Sequence, residues 1–397
     1  MRVAVHPAGE DACGLYRLTE PARVLADQGA DVVTTREVVY ECSFDLSHRP
    51  VALVGQPDTD VVVLQRPLHR WKGDLIGVLQ RAGVAVVVEI DDDFGAVHPR
   101  NAAWPDAHRE RMLDVRESTA PRHDAEARRR GLMDGGPVET LARSGRVWRR
   151  FAGVLADESD LWLRRACKAA DLVTVTTPAL AERYAPHGRV AVLPNLVPER
   201  YLSVTAAPRD GVTVGWGGTV ATHPDDLDVT GGGVARAVAE TGARFEVVGD
   251  GEGVQTALGL EVPPTVAGWV PLRDWPRALA RFDVGVVPLA DTAFNRSKSA
   301  LKMLEMAAVG VPSVASPTPD NVRLARMGVG MLAADPAHWE QWVRLLVERE
   351  GAREDLAGRG REVAAGLTYE AHAGRWWDAW AQALDNRRAA AREKAAA

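Results

Sequence analysis

Residues 282–289 read Phe282-Asp283-Val284-Gly285-Val286-Val287-Pro288-Leu289, and a polar stretch follows, Phe294-Asn295-Arg296-Ser297-Lys298-Ser299. The run continues as Ala300-Leu301-Lys302-Met303-Leu304-Glu305-Met306-Ala307-Ala308-Val309-Gly310-Val311-Pro312. A continuously apolar strand ends at Pro288, which cannot prolong a central ladder. The polar loop then enters a helix that Asn295, Ser297 or Ser299 can cap, with free backbone N–H groups in its first turn. Lys298, Lys302 and Glu305 fall near one face, at spacings of four and three. Two lysines at a helix start suit a diphosphate. A carboxylate one turn deeper can accept hydrogen bonds from two ribose hydroxyls. Gly310 and Pro312 stop the helix and begin the next strand.

The same strand-then-helix grammar runs outward in both directions. Apolar runs occur at Arg2–Val5, Asp60–Leu64, Val84–Ile90, Leu172–Val175 and Val190–Leu193, and again at Val212–Trp216, Arg244–Val248, Val284–Val287 and Pro312–Ala315. Several are apolar throughout, as parallel strands covered on both faces should be. Helical stretches such as Thr19–Gln28, Gly73–Arg81 and Pro178–Tyr184 lie between them. The alternation predicts an α/β fold with two doubly wound parallel sheets facing a cleft. The series closes at Leu193-Pro194-Asn195 and restarts after Arg209-Asp210-Gly211, with Pro198 and Pro208 between, which puts a hinge near 196–210. The expected domains are 1–200, 208–370 and a C-terminal helix and tail at 371–397 carrying Trp376, Trp377 and Trp380. Residues from about 98 to 166 break the pattern. Arginines and acids interleave there, and Val147, Trp148, Phe151, Val154 and Leu155 suggest an amphipathic piece of a helical insertion.

The chain has 397 residues, 46% hydrophobic, enough for two cores, and its net charge of −6 argues against a surface given over to nucleic acid. Three cysteines, Cys13, Cys42 and Cys167, show no metal-type pairing and suit free thiols in a reducing compartment. The start, MRVAVHPAGE, is too briefly apolar for a signal segment, so a cytoplasmic protein with at most peripheral membrane contact is expected.

The 282–312 run resembles the donor-site helix of the large retaining glycosyltransferase family 4, the glycosyl transferases group 1, whose fold is GT-B. Ala169-Ala170-Asp171-Leu172-Val173-Thr174-Val175-Thr176-Thr177-Pro178 and Leu193-Pro194-Asn195 resemble the segments that close that family's first domain. The resemblance implies two facing Rossmann-like domains and a nucleoside diphosphate sugar as co-substrate. It also implies a Glu305 that holds the donor ribose, and retention without a metal or other cofactor. Two departures stand out. The Glu that the family places eight residues before Glu305 is Ser297 here, and the Arg and Lys usual after the first C-terminal strand are replaced by Thr219 and His223.

Other candidates follow from position. Gly217, Gly218, Thr219 and His223 end the first strand of the second half, where glycines admit phosphate closely and the two side chains can donate to it. Gly14 follows the first strand of the chain, and Arg17 can reach a phosphate or an acidic acceptor. Glu89, Asp91, Asp92 and Asp93 crowd a strand end, where repulsion should raise at least one pKa. Asp91 or Asp92 can serve as a general base, with Glu89 and Asp93 on acceptor or sugar hydroxyls, and metal binding and strand-end capping are the rival readings of the cluster. His223 and Lys298 are expected to stabilise the departing diphosphate. The acceptor is open to a glycan, a small metabolite or a modified nucleobase in DNA. Two rival activities share the scaffold, a sugar-nucleotide 2-epimerase and a silent glycan- or partner-binding module.

Overall fold

The computed structural model describes residues 1–35, 42–44, 50–55, 57–68, 70–97, 101, 112–115, 138–143, 146–151, 158–205, 210–223 and 225–396. Two six-stranded sheets dominate it. The first runs in spatial order Val190–Val192, Leu172–Val175, Ala85–Ile90, Val61–Gln65, Val3–His6, Val32–Thr34. The second runs Thr265–Val266, Arg244–Gly249, Thr213–Gly218, Val284–Val287, Ser313–Ala315, Met331–Leu332. Every neighbouring pair in both sheets is parallel. The central strands are valine-rich and buried on both faces, which is why they read as unbroken apolar runs and not as alternating ones. Each sheet has the doubly wound order that opens a crevice at its carboxyl ends.

The chain crosses between the two sheets twice. Val197 of the outgoing linker bridges Thr368 of the returning segment, with Val197 N donating to Leu367 O at 3.1 Å and Tyr369 N to Val197 O at 3.1 Å. The returning helix, Gly374–Ala396, then packs on the first sheet, not the second. Trp376 and Trp380 are its fully buried anchors, and Trp376 Nε1 donates to Arg17 O at 3.3 Å. The tryptophans are packing residues that strap the C-terminus to the N-terminal half.

The insertion departs from the helical expectation. Among its described residues Met112–Val115, Val138–Arg143 and Arg146–Phe151 form a three-stranded antiparallel sheet, with a helix at Glu158–Ala169. Val147, Trp148 and Phe151 are β-branched or aromatic, and such side chains favour a pleated surface over a helix. The Val154 and Leu155 end of the expected piece lies outside the described residues, as do Pro208 and Arg209 of the linker.

Gly215 shows how tightly the second sheet is covered. A Cβ at that position would sit 2.0 Å from the Phe282 ring, so glycine is required where the strand passes under the aromatic.

Candidate active site

The helix that carries Lys302 and Glu305 spans Leu301–Ala308. Its N-cap is Ala300, which has no side-chain oxygen to offer, so the expected cap by Asn295, Ser297 or Ser299 does not form. A short helix at Ala293–Arg296, capped by Thr292, intervenes and diverts those side chains. Asn295 Nδ2 donates to Asp226 Oδ1 at 2.7 Å and to Ala290 O at 3.0 Å. Ser297 Oγ donates to Ala293 O at 3.1 Å, and Ser299 Oγ accepts from Asn195 Nδ2 at 2.8 Å. All three hold the loop that aims the two lysines.

Lys298 and Lys302 end in the cleft. Lys298 Nζ lies 3.3 Å from Asp92 Oδ1 of the first half and 4.3 Å from the centre of the Phe294 ring. Lys302 Nζ lies 3.5 Å from His223 Nε2 and 5.5 Å from the centre of the Trp216 ring. Gly218 leaves the space this ammonium occupies, since a Cβ there would come within 3.2 Å of Lys302 Nζ. Burial and the neighbouring Lys298 charge bring Lys302 down to about 8. Burial would lower Lys298 too, but Asp92 together with Cys13 and Asp226 outweighs it and the ammonium is raised.

His223 Nδ1 faces Asp226 Oδ2 at 2.8 Å. Burial, reinforced by Lys302, takes the imidazole down to about 4. A neutral ring with its Nδ1 proton on Asp226 accepts from Lys302 through Nε2. His223 therefore orients an ammonium and supplies no charge of its own. Thr219 is the N-cap of the following turn, its hydroxyl accepting from Ala221 N at 3.2 Å and facing Asp250 Oδ2 at 3.4 Å.

Glu305 is buried and raised to about 7 by that burial. Its Oε1 accepts from Trp275 Nε1 at 3.0 Å and from the Tyr16 hydroxyl of the other half, and Tyr16 OH is 2.7 Å from Tyr201 OH. The Trp275 ring covers Gly217, where a Cβ would meet Trp275 Cη2 at 2.7 Å.

On the first sheet the acidic strand end separates into distinct roles. Asp91 is held by Arg66, with Nε to Oδ1 at 2.7 Å and a second bond from the same guanidinium to Oδ2. Burial works to raise Asp91, but Arg66 together with Cys13 and Arg17 outweighs it and the carboxyl lies below its ordinary value. Arg66 adopts φ 49°, a left-handed backbone unusual for a side chain of its size. Asp92 points at Lys298 and is raised by burial despite that partner. Asp93 Oδ1 accepts from Gly95 N at 3.2 Å and pairs with Arg183 at 3.4 Å, so it caps a turn and does not line the cleft. Cys13, Asp91 and Asp92 bring potential ligand atoms within 4.8 Å of one another, but Arg66 and Lys298 already supply the positive charge there.

Arg17 and Glu89 are corrected from acceptor ligands to an internal strut. Both are about 1% exposed, joined Nε to Oε1 at 2.7 Å, and Arg17 Nη1 also donates to Leu193 O and Asn195 Oδ1. Arg17→Met should cost about 3–5 kcal/mol by stranding a buried Glu89, with Arg17→Met/Glu89→Gln recovering part of the loss in thermal unfolding. Gly14 is likewise structural. A Cβ there would lie 2.0 Å from Gly9 O, so the glycine lets the preceding loop fold back on the helix start.

The structure thus gathers five of these residues around one cleft, with Asp92 on the first-half wall and Lys298, His223, Lys302 and Glu305 on the second-half wall. Sequence reading missed Tyr16, Arg66, Tyr201, Asp226 and Trp275. Nothing local marks these five residues, because each matters through a partner brought close only by folding.

Residues 212–349 match the family model described as Glycosyl transferases group 1. Among curated proteins no sequence matches the chain. The structure of Anabaena Alr3699/HepE in complex with UDP and glucose superposes with a TM-score of 0.55 at 13% identity, covering 95% of this chain and 98% of that one. The same protein in complex with UDP gives 0.54 at 14%, covering all of both chains (100% and 100%). TarM gives 0.49 at 11% identity, with 81% of this chain covered. The pneumococcal O-GlcNAc transferase GtfA gives 0.48 at 11%, with 82% covered. This chain spans 54% of the length of TarM and 57% of that of GtfA. Among the described residues no helix is long and apolar enough to cross a membrane. Residues 212–349 are thus similar to the glycosyl transferases group 1, and the two parallel sheets give the chain the GT-B fold that it shares with HepE.

Proposed function

We propose that the protein transfers a glycosyl group from a nucleoside diphosphate sugar to an acceptor hydroxyl, with retention and without a metal. The observation that carries this reading is the placement of Lys302 and Glu305 on one helix against the Gly217–Gly218 strand end, with Lys298 beside them. The diphosphate would lie between the two ammonium groups and the first amides of the helix, which have no side-chain cap. The two lysines stand in for the Arg and Lys that the family carries after its first C-terminal strand. They also provide the positive charge that a divalent ion would otherwise bring. Glu305 would take the ribose. The HepE complexes hold UDP, which makes UDP the first nucleotide to test here.

In the reaction the bond from the anomeric carbon to the diphosphate oxygen breaks, and a bond to the acceptor oxygen forms. Under retention the acceptor proton passes to the leaving phosphate on the same face. A specific observation favours a second reading, inversion with Asp92 as base. Asp92 stands 3.3 Å from Lys298 across the cleft and is the one acid of its cluster that is both raised and open to it. The acceptor, whether glycan, small metabolite or nucleobase, would approach along this first-half wall.

The test incubates the protein with UDP-sugars and an acceptor panel, follows acceptor-dependent UDP release, and reads the product anomer by NMR. Retention with activity left in Asp92→Asn supports the main reading. An inverted product and a dead Asp92→Asn enzyme would establish the second. A new sugar nucleotide formed without acceptor would replace both with an epimerase.

A further inference from the structure

Glu305 is fixed with unusual asymmetry. Tyr16 OH and Trp275 Nε1 both donate to Oε1, and no protein group donates to Oε2 among the described residues. The two donors come from opposite halves of the molecule, and Tyr201, from the linker turn Glu199–Ser203, supports the first of them at 2.7 Å. Tyr16 stands in a π-helical turn, Leu15–Thr19, at the head of the first long helix. Such turns are costly and gather at functional sites. Trp275 has a second contact that ties it to the donor crevice. Its ring fills the space above Gly217, so a side chain there would push the indole away from Glu305.

Two donors on a single oxygen fix the plane of a carboxylate and leave the other oxygen as the acceptor. We propose that Tyr16 and Trp275 are positioning residues that clamp Oε1 of Glu305 so that Oε2 meets the donor ribose, making the site selective for ribonucleotide over 2′-deoxyribonucleotide donors. The inference rests on the assignment of Glu305 to the ribose. Selectivity follows because a deoxy donor leaves an oriented, buried carboxylate oxygen without its hydroxyl, and an unmade bond at such a site discriminates strongly. Donor sugars on thymidine diphosphate would thereby be disfavoured. Burial raises Glu305, so its charged form depends on these two donors together with Lys302.

The test measures calorimetric Kd values for UDP and 2′-deoxy-UDP with the intact protein, Tyr16→Phe, Trp275→Phe, Gly217→Ala and Glu305→Ala. The unaltered protein is expected to prefer UDP by about tenfold or more. Each of the three positioning variants should shrink that ratio to within about threefold, through weaker UDP binding, while deoxy-UDP affinity changes little. Gly217→Ala keeps both side chains and displaces only the indole, so it guards against loss of folding in the other two. Variants that weaken both ligands equally, with the preference intact, would overturn the positioning role while leaving Glu305 on the ribose. No preference in the unaltered protein, and none altered by Glu305→Ala, would overturn the ribose assignment itself.

Discussion

Lys298→Ala/Lys302→Ala should reduce kcat/KM for the sugar nucleotide by about 10³-fold or more, with the larger share in kcat. Single preorganised donors to a developing anion are worth roughly 10²–10³ in rate. The two ammonium groups share one neighbourhood, and Lys298 depresses Lys302, so the double variant should lose less than the product of the singles. The single variants should also differ. Lys302 faces the glycine strand end through His223 and Trp216, whereas Lys298 is held by Asp92. Lys302→Ala should therefore weaken nucleotide binding most, and Lys298→Ala should release Asp92 and alter turnover. Steady-state kinetics of the four proteins, with nucleotide binding measured separately, checks the ordering.

The second large effect is in the pH profile. In the free protein Glu305 is pushed up to about 7 and Lys302 is brought down to about 8. Donor capture needs the first ionised and the second protonated. Log kcat/KM should then peak between these values and fall on either side by about tenfold per pH unit. Glu305→Gln should flatten the acid limb and leave the alkaline limb in place. No step should appear near the ordinary histidine value, because His223 is held down at about 4. Stability carries the opposite sign from that of most carboxylates. Folded Glu305 keeps a proton that the unfolded chain loses near 4.5, so its contribution is full below that value. It is lost as pH rises toward 7. The melting-temperature difference between the protein and Glu305→Gln should shift accordingly from pH ~5 to ~8.

The fold was legible because its central strands are doubly covered. Leu172–Val175 and Val284–Val287 appear in the structure with the bounds read from sequence, as does the helix Pro178–Tyr184. The edge strands were not legible. Thr265–Val266 and Met331–Leu332 are two residues each, too short to carry any period, and exist only because a neighbouring strand offers its open side. In the insertion, a scatter of apolar residues among arginines was read with a helical period. Short apolar runs do not decide between the two periods.

The site divides in the same way. Lys302 and Glu305 are one turn apart on a single helix, so their shared face follows from local geometry. Tyr16 is separated from Glu305 by 289 residues and Trp275 by 30, and only the closed tertiary arrangement brings their donors to Oε1. Burial misled the reading of Arg17 and Glu89. A charged pair next to a strand end looks like a binding site in sequence, and its enclosure beneath the Trp376 helix shows only once the C-terminus is seen to return to the first sheet.

On the reading proposed above, Lys298 and the Leu301–Ala308 helix with its Lys302 hold a nucleoside diphosphate. Calorimetric titration with UDP, GDP, ADP and dTDP, on the intact protein and on Glu305→Ala and Lys302→Ala, tests it most directly. The expected result is binding of UDP, weakened about 30-fold or more in each variant, as for loss of a charged hydrogen-bonding partner. Absence of binding to all four nucleotides, or UDP binding of equal strength in all three proteins, would contradict it.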